Sequence, residues 1–199
     1  PFRNQMSWLY SWFTDLLTYL GLSQKSGKLV FLGLDDSGKT TLLHLLKDDR
    51  IGEYAPTLVP TAYELRLDGV RFLTYDLVGG YRQARRWWLE FAPDGIVFVV
   101  DVANHERIAE AAKEFERLMT DETVAAVPIL VLGNKADKAG ALSEEQLKCA
   151  LGLQDGCTGK GATFAKDDCA NRPIAVFMCS AFMRQGYGEA VRWLAKNLD

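Results

Sequence analysis

The chain contains several apolar runs that are nearly continuous, and this pattern predicts strands buried on both faces of a sheet. The runs are rich in Val, Ile, Leu and Phe and cover residues 29–32, 95–102, 128–134 and 174–180. Two further runs, at 63–67 and 70–75, alternate between apolar and polar positions on either side of Asp68 and Gly69. Alternating runs around such a turn pair are typical of a β-hairpin.

Between these runs, apolar residues recur at helical spacing. They predict helices over 41–46, 106–119, 143–150 and 187–198, and Ser143 with Gln146 fits a capping box at the start of the third. Strands that alternate with helices indicate an α/β fold with right-handed crossovers. We therefore expect a mostly parallel six-stranded sheet with helices on both faces and a ligand at the carboxyl ends of the strands.

Residues 6–22 predict an N-terminal amphipathic helix. Trp8 and Trp12 lie on one face with other large apolar residues, whereas Ser11 and Asp15 lie on the opposite face. We expect the apolar face to enter the headgroup region of a membrane, although a helix packed onto its own domain would have the same pattern. No apolar run reaches the roughly 20 residues needed to span a bilayer, and a signal peptide is not indicated.

The composition predicts one globular domain, which we assign to residues 27–199. A chain of 199 residues, 48% hydrophobic and 25% charged, can bury a single core. The net charge of −3 disfavours a general nucleic-acid binder. Its four cysteines show neither metal-binding spacing nor a disulfide framework, which favours a reducing, cytosolic setting. Residues 1–5 are interpreted as an extension or an expression remnant, and the Gly-rich stretch 152–168 as a surface insertion.

Residues 33–40, GLDDSGKT, fit the G-x-x-x-x-G-K-[ST] phosphate-binding loop between a strand and a helix. Glycines allow a tight turn, so that backbone N–H groups and the helix N-terminus converge on phosphate oxygens. Lys39 would reach the β- and γ-phosphates, and the Thr40 hydroxyl would bind Mg²⁺. A Gly-rich turn before an ordinary helix is the alternative for this motif taken alone.

A second motif follows the third strand. Asp76 can hold Mg²⁺ there, commonly through a water, and the N–H of Gly79 can contact the terminal phosphate. Two Pro-Thr pairs precede the hairpin, at 56–57 and 60–61. One of these threonines is expected to cover Mg²⁺ and the γ-phosphate of GTP and to release on hydrolysis.

The N-K-x-D pattern at Asn134, Lys135 and Asp137 predicts recognition of guanine. A carboxylate can accept two parallel N–H bonds from guanine, whereas adenine offers no such pair. Asp137 is therefore expected to select GTP over ATP. Ser180 and Ala181, at the end of the last strand, would add contacts to the base, although a buried strand end would explain them equally well.

Longer stretches resemble the secretion-associated, Ras-related (Sar) small GTPases, neighbours of the Arf family. The resemblance covers nearly the whole chain and is carried by GKLVFLGLD, KTTLLHLLKDDR, QARR, MTDET, VPILVLGNK, VFMCS and RQGYGE. It implies a P-loop GTPase (Ras-like) fold and a GTP/GDP switch with Mg²⁺. It further implies inner-layer COPII coat proteins and an ER-resident exchange factor as partners. The location implied is cytosolic, peripheral on the cytoplasmic face of the endoplasmic reticulum and Golgi, with the N-terminal helix as membrane anchor.

The motifs and the resemblance together predict a site. By spacing to Asp76, Thr57 rather than Thr61 matches the threonine that covers Mg²⁺ in the family. The predicted metal ligands are Thr40, Thr57, Asp76 and, from the resemblance, Asp35. The predicted nucleotide-binding residues are Asp35, Asp36, Ser37, Gly38, Lys39, Thr40, Thr41, Thr57, Gly79, Asn134, Lys135, Asp137, Ser180, Ala181 and Phe182.

The chain departs from the family after the third strand. The family reads DLGGH, with a histidine that positions the attacking water, whereas this chain reads DLVGGY. Counting forward from Asp76 places Gly80 at the catalytic position, and counting back from Gln83 places Tyr81 there. Because a phenol with a pKa near 10 is a poor base, we expect weak intrinsic hydrolysis. A partner's arginine could raise it by about 10³- to 10⁵-fold.

Two other functions compete with this interpretation. One is a scaffold that holds GTP almost permanently, and the other is an Arf-like GTPase of another compartment. A second departure concerns binding: Asp36 stands where the family usually carries a neutral residue. Two adjacent carboxylates beside a triphosphate should weaken nucleotide binding, unless Mg²⁺ or an outward-pointing geometry compensates.

Overall fold

The computed structural model describes residues 26–48, 61–67, 70–76, 92–153 and 172–198. Its strands are β1 (Ser26–Leu32), β2 (Thr61–Leu67), β3 (Val70–Asp76), β4 (Gly95–Asp101), β5 (Ile129–Asn134) and β6 (Ile174–Met178). Its α-helices are α1 (Lys39–Asp48), α2 (His105–Met119), α3 (Glu144–Ala150) and α4 (Tyr187–Lys196). A short 3-10 helix covers Glu122–Val124.

The strands form one six-stranded sheet in the order β2-β3-β1-β4-β5-β6. Only β2 runs antiparallel within this sheet, paired with β3 so that Leu67 lies opposite Val70. The mostly parallel sheet and the hairpin are therefore confirmed. Since β1, β4, β5 and β6 pair in parallel, their carboxyl ends lie at one edge, and helices connect β4 to β5 and β5 to β6.

Each face of the sheet has its own apolar cluster, because successive side chains of a strand point to opposite faces. On one face, Phe98 of β4 packs edge-on against Phe115 of α2, with ring centroids 5.1 Å apart. On the other, Phe31 of β1 belongs to a cluster that contains Leu42 of α1 and Leu194 of α4. The predicted α/β fold with helices on both faces is confirmed.

Element boundaries differ from the predicted ones by a few residues. The first helix begins at Lys39, inside the phosphate-loop motif, and ends at Asp48. The sixth strand ends at Met178, because Ser180 forms an isolated bridge with Gln185 instead of extending the ladder. The first shift places Lys39 and Thr40 in the first turn of the helix, and the second places Ser180 in the turn after β6.

The predicted capping box of α3 is present. The Ser143 N–H donates to Gln146 Oε1 at 2.7 Å, and the Gln146 N–H donates to Ser143 Oγ at 3.2 Å. Just before it, the Leu142 N–H donates to the Val102 carbonyl at 2.9 Å. The segment that follows β5 is thus anchored at its far end, and replacing such a cap typically costs about 1 kcal/mol.

Several predictions concern residues outside the described ranges. They are the extension at 1–5, the helix at 6–22, Thr57, and the segment with Gly79, Gly80 and Tyr81. Most of the surface insertion predicted at 152–168 also lies outside. These expectations stay predictions. Among the described residues, no helix combines the length and the apolar character needed to cross a bilayer.

Candidate nucleotide-binding site

The predicted site residues lie in the segments that leave the carboxyl edge of the sheet. β1 leads into the phosphate loop (residues 33–38), which ends at α1. β5 leads into the segment that begins with Lys135, and β6 into a turn at residues 179–186. Asp101, the last residue of β4, lies opposite Asn134 in the register. The structure therefore brings together the two motifs that the sequence separates by almost a hundred residues.

Two glycines of the phosphate loop are required by its geometry. Gly33 has φ +131°, and a Cβ there would lie 2.1 Å from the Val99 carbonyl oxygen. Gly38 has φ +93°, and its Cβ would lie 2.3 Å from Nδ2 of Asn134. Both positions combine a left-handed backbone with a close approach that excludes any side chain. The motif glycines are thus explained by contacts to β4 and β5.

Lys39 folds back over the loop. Its Nζ donates to the carbonyl oxygens of Gly33 at 3.0 Å and Leu34 at 2.7 Å, and the residue is only 7% exposed. A buried ammonium beside the first turn of α1 creates a positive site together with the helix N-terminus. This arrangement suits a polyphosphate, as the motif predicts.

Asn134 connects the phosphate loop to the turn after β6. Its Nδ2 donates to the Ser37 carbonyl at 2.9 Å, and its Oδ1 accepts from the Ala181 N–H at 3.1 Å. The residue is 1% exposed. These two hydrogen bonds are to backbone groups of other segments, so Asn134 links the phosphate loop to the turn after β6.

Cys179 completes this buried centre. Its thiol lies 3.8 Å from Oδ1 of Asn134 and donates to it weakly. Burial raises the pKa of the Cys179 thiol to about 12. The group therefore stays protonated at physiological pH and packs as a small apolar side chain with a weak donor.

Asp137 is exposed and is oriented by Ser180. The Ser180 hydroxyl donates to Asp137 Oδ1 at 2.5 Å and accepts from the Met183 N–H at 2.9 Å. One carboxylate oxygen is thus fixed in place, while the carboxylate retains capacity to accept N–H groups of a ligand. Ser180 acts here through its side chain, in addition to any direct contact with the base.

Lys135 lies across the site with a left-handed backbone, φ +64°. Its Nζ lies 2.7 Å from Oδ2 of Asp101 and 3.3 Å from Oδ2 of Asp36. Burial alone would lower the pKa of the Lys135 ammonium, but the hydrogen bond and charge of Asp101, with a smaller contribution from Asp36, raise it above its usual value. Lys135 is therefore a permanent cation between β4 and the phosphate loop.

The two acidic residues of the loop point outward to basic partners. The Asp36 side chain is 85% exposed and faces Lys135, and its backbone has φ +59°. The Asp35 side chain is 76% exposed, and its Oδ1 accepts from Arg107 of α2 at 2.7 Å. This hydrogen bond is the main cause that lowers the pKa of Asp35. Asp36 thus has the outward-pointing geometry that the sequence argument allowed for, and the predicted metal role of Asp35 stays a prediction.

The remaining described site residues lie in the segments at the carboxyl edge of the sheet, and their nucleotide-binding roles stay predictions. Thr40 and Thr41 are half-buried in the first turn of α1. Phe182 follows Ala181 in the turn after β6 and is 73% exposed, an unusual exposure for a large apolar side chain. Its contact with the base stays a prediction.

Two predicted Mg²⁺ ligands, Asp76 and Thr40, lie beside the phosphate loop by their backbone positions, and the side chain of Asp76 is outside the described part of the structure. Asp76 ends β3, where it lies opposite Phe31 in the parallel ladder with β1, two residues before Gly33. Thr40 lies at the other end of the loop, in the first turn of α1. Mg²⁺ is usually held by one or two such protein oxygens together with phosphate and water oxygens. Thr40 and Asp76 would hold the ion, which would neutralise charge on the phosphates and polarise the γ-phosphoryl group.

Two residues of this site were missed by the motif search. Asp101 ends a buried strand at the ligand edge, a signal that the sequence contains. Arg107 lies in a helix that shows ordinary amphipathic spacing, and nothing in the sequence distinguishes it from the other basic residues of α2.

With the geometry in place, comparisons with known proteins identify the family. Residues 13–198 match the model of the ADP-ribosylation factor family, Arf. The small COPII coat GTPase SAR1 of Giardia intestinalis is 41% identical over 94% of this chain and 97% of its own length. The small COPII coat GTPase SAR1 of Nicotiana tabacum is 38% identical over 96% and 98%.

Arf-like proteins also match at lower identity. The ADP-ribosylation factor-like protein 3 of Chlamydomonas reinhardtii is 31% identical over 89% of this chain and 95% of its own. The structure of the Arl6 BBS3 small GTPase from Trypanosoma brucei, with bound nucleotide analogue GppNp, matches with a TM-score of 0.69. It has 25% identity and covers 86% of this chain and 96% of the other. This chain belongs to the Arf family of small GTPases, which bind GTP and GDP with Mg²⁺ and hydrolyse GTP.

Proposed function

We propose that this chain is a GTP-controlled switch that recruits the inner layer of the COPII coat to endoplasmic reticulum membranes, for vesicle budding toward the Golgi. The observation that carries the proposal is the near full-length similarity to small COPII coat GTPases named SAR1, at 34–41% identity over at least 94% of this chain. The guanine edge around Asn134 and Asp137 supports GTP as the controlling ligand.

The partners in this proposal are the inner-layer COPII proteins and an ER-resident exchange factor. Membrane attachment is assigned to the amphipathic helix at 6–22, so that the protein is cytosolic and peripheral on the cytoplasmic face of the endoplasmic reticulum and Golgi. Aromatic side chains such as Trp8 and Trp12 are suited to the headgroup region. No nucleic acid enters the proposal.

Coat recruitment can be tested by liposome flotation. The full chain is mixed with Mg²⁺, inner-layer COPII proteins and a non-hydrolysable GTP analogue, and the same chain with GDP is the matched control. We expect coat proteins to float with the liposomes only in the GTP-analogue sample. A second variant lacks residues 1–22 and is expected to bind nucleotide but not to float. Equal flotation of the full and the shortened chain would refute the anchor. If the full chain floats with the GTP analogue but the added coat proteins do not, the coat role is refuted.

Hydrolysis is the second part of the proposal. With Gly80 or Tyr81 in place of the family's histidine, turnover is proposed to be slow alone and to depend on an arginine supplied by a coat partner. Single-turnover hydrolysis with and without the coat proteins measures this. A fast rate for the protein alone would contradict it.

A permanently GTP-bound scaffold is the alternative that this departure favours. Mass spectrometry of the nucleotide that copurifies with the protein distinguishes the two, because a scaffold would carry GTP and a cycling switch mainly GDP. The similarity to ADP-ribosylation factor-like protein 3 favours a third candidate, an Arf-like GTPase of another compartment. Localisation of a fluorescent fusion away from the endoplasmic reticulum would support that candidate.

A further inference from the structure

Arg107 of α2 contacts the phosphate loop at a single residue. Its Nη1 donates to the Asp35 carbonyl oxygen at 3.1 Å, and its Nη2 donates to Asp35 Oδ1 at 2.7 Å. The two residues are 72 positions apart in the sequence. One guanidinium thus holds both the backbone and the side chain of the same loop residue.

The guanidinium is itself held in place. Its Nε donates to Oε2 of Glu110, one turn further along α2, at 2.8 Å. All three kinds of guanidinium nitrogen are engaged, so the planar fork has little freedom to rotate. The Arg107 side chain is 31% exposed, and both carboxylate partners raise the pKa of its guanidinium. The contact is therefore a preformed fork rather than a flexible surface pair.

The backbone part of this contact has a geometric consequence. In a trans peptide the carbonyl of residue 35 and the N–H of residue 36 lie in one plane and point in opposite directions. By holding the Asp35 carbonyl toward α2, Arg107 directs the Asp36 N–H away from α2. Asn134 acts in the same way at the Ser37 carbonyl, which orients the N–H of Gly38.

Asp36 needs such support. It has φ +59°, a conformation that costs a residue with a side chain free energy unless its surroundings enforce it. The fork acts on the peptide that enters this residue, and the Lys135–Asp36 ion pair acts on its side chain.

We propose that Arg107 is a positioning residue of the nucleotide site, which fixes the 35–36 peptide so that the phosphate loop is ready to bind phosphate through its amides. This rests on GTP binding by the family and not on the coat role, so either can fail without the other. The same fork holds the Asp35 carboxylate against α2.

The test measures dissociation of a fluorescent GDP in excess Mg²⁺ from the full chain and its variants. Arg107→Met is expected to speed dissociation about fivefold, because a partly exposed charged contact is lost. Arg107→Lys, which can make one of the two bonds, should fall between. Arg117→Met is the matched control, because Arg117 pairs with Glu114 on the same helix but away from the loop. It should leave the rate unchanged.

Asp35→Asn separates positioning from a metal role. The amide keeps an oxygen that can accept from Arg107 but loses the negative charge of the pair, so GDP dissociation at saturating Mg²⁺ should accelerate less than in Arg107→Met. The Mg²⁺ concentration needed for half-maximal retention should rise by no more than it does in Arg107→Met. A strong rise in the Mg²⁺ requirement would mean that Asp35 binds the metal and would overturn the assignment of its carboxylate to the fork. Equal effects of Arg107→Met and Arg117→Met, or no effect of Arg107→Met, would overturn the positioning role. Glu110→Gln weakens the hold on the Arg107 guanidinium without changing a loop residue. It should accelerate GDP dissociation less than Arg107→Met does.

Discussion

Two polar regions meet at the carboxyl edge of the sheet and are built in opposite ways. Around Asn134 the contacts are buried, uncharged and directed to backbone groups. On the outside of the phosphate loop, the contacts are exposed ion pairs made by Asp35 and Asp36. Buried neutral bonds are costly to break and insensitive to salt, whereas exposed pairs contribute little stability and are screened. The region around Asn134 therefore maintains the fold of the site. The ion pairs of Asp35 and Asp36 are expected to have smaller effects, which depend on salt.

The largest effect is expected for Asn134→Ala. It leaves the Ser37 carbonyl and the Ala181 N–H without their buried partner, and each such loss typically costs about 1–3 kcal/mol. The free energy of unfolding of the GDP complex, measured in urea, should fall by about 3 kcal/mol. Asn104→Ala is the control, because Asn104 caps α2 without a side-chain capping bond. If Asn134→Ala lowers the free energy of unfolding no more than Asn104→Ala does, the buried region around Asn134 does not maintain the fold of the site.

Ser180→Ala should affect recognition more than stability. The substitution removes the hydroxyl that orients Asp137, so we expect GDP to bind about tenfold more weakly. Binding of inosine diphosphate, which lacks the exocyclic amine of guanine, should fall less, and the preference for GDP over it should shrink. Ser143→Ala, at the cap of α3, serves as a control that lowers stability only. An unchanged preference would mean that Ser180 does not orient Asp137.

Ser37→Ala is expected to stabilise the protein. The Ser37 hydroxyl is buried and has no hydrogen-bond partner among the described residues. Removing an unsatisfied buried hydroxyl should raise the free energy of unfolding by about 1 kcal/mol. Thermal unfolding of the GDP complex measures the change. A decrease of similar size would show that the hydroxyl has a partner and belongs to the buried network.

The smallest effect is expected for Asp36→Asn. Because the carboxylate is 85% exposed and faces Lys135, its repulsion of the phosphates is largely compensated and screened. GDP affinity in about 150 mM salt should change by less than threefold. Titration calorimetry at low and high salt checks this, and the difference between the two proteins should shrink as salt rises. A tenfold tighter complex would show that the carboxylate opposes binding after all.

The sequence predicted most of the fold and the motif residues of the site, for identifiable reasons. Buried strands such as β4 and β5 could be predicted because side chains on both of their faces are apolar. Lys39, Asn134 and Asp137 could be predicted because they belong to short motifs whose spacing is typical of nucleotide binding. Arg107 could not be predicted, because its partner is 72 positions away and its own helix has an ordinary pattern. The orientation of the Asp36 side chain could not be predicted either. It depends on Lys135, which comes close only when β1 and β5 end at the same edge of the folded sheet.

The thiol of Cys179 has a consequence for the chemical reactivity of this protein. Oxidants and alkylating reagents attack the thiolate, and at Cys179 that form is suppressed by burial directly beside Asn134. Cys179 is therefore protected from oxidants and alkylating reagents as long as the turn after β6 stays folded. A covalent inhibitor directed at this cysteine would have to wait for local unfolding, and its reaction rate would report how often this turn opens.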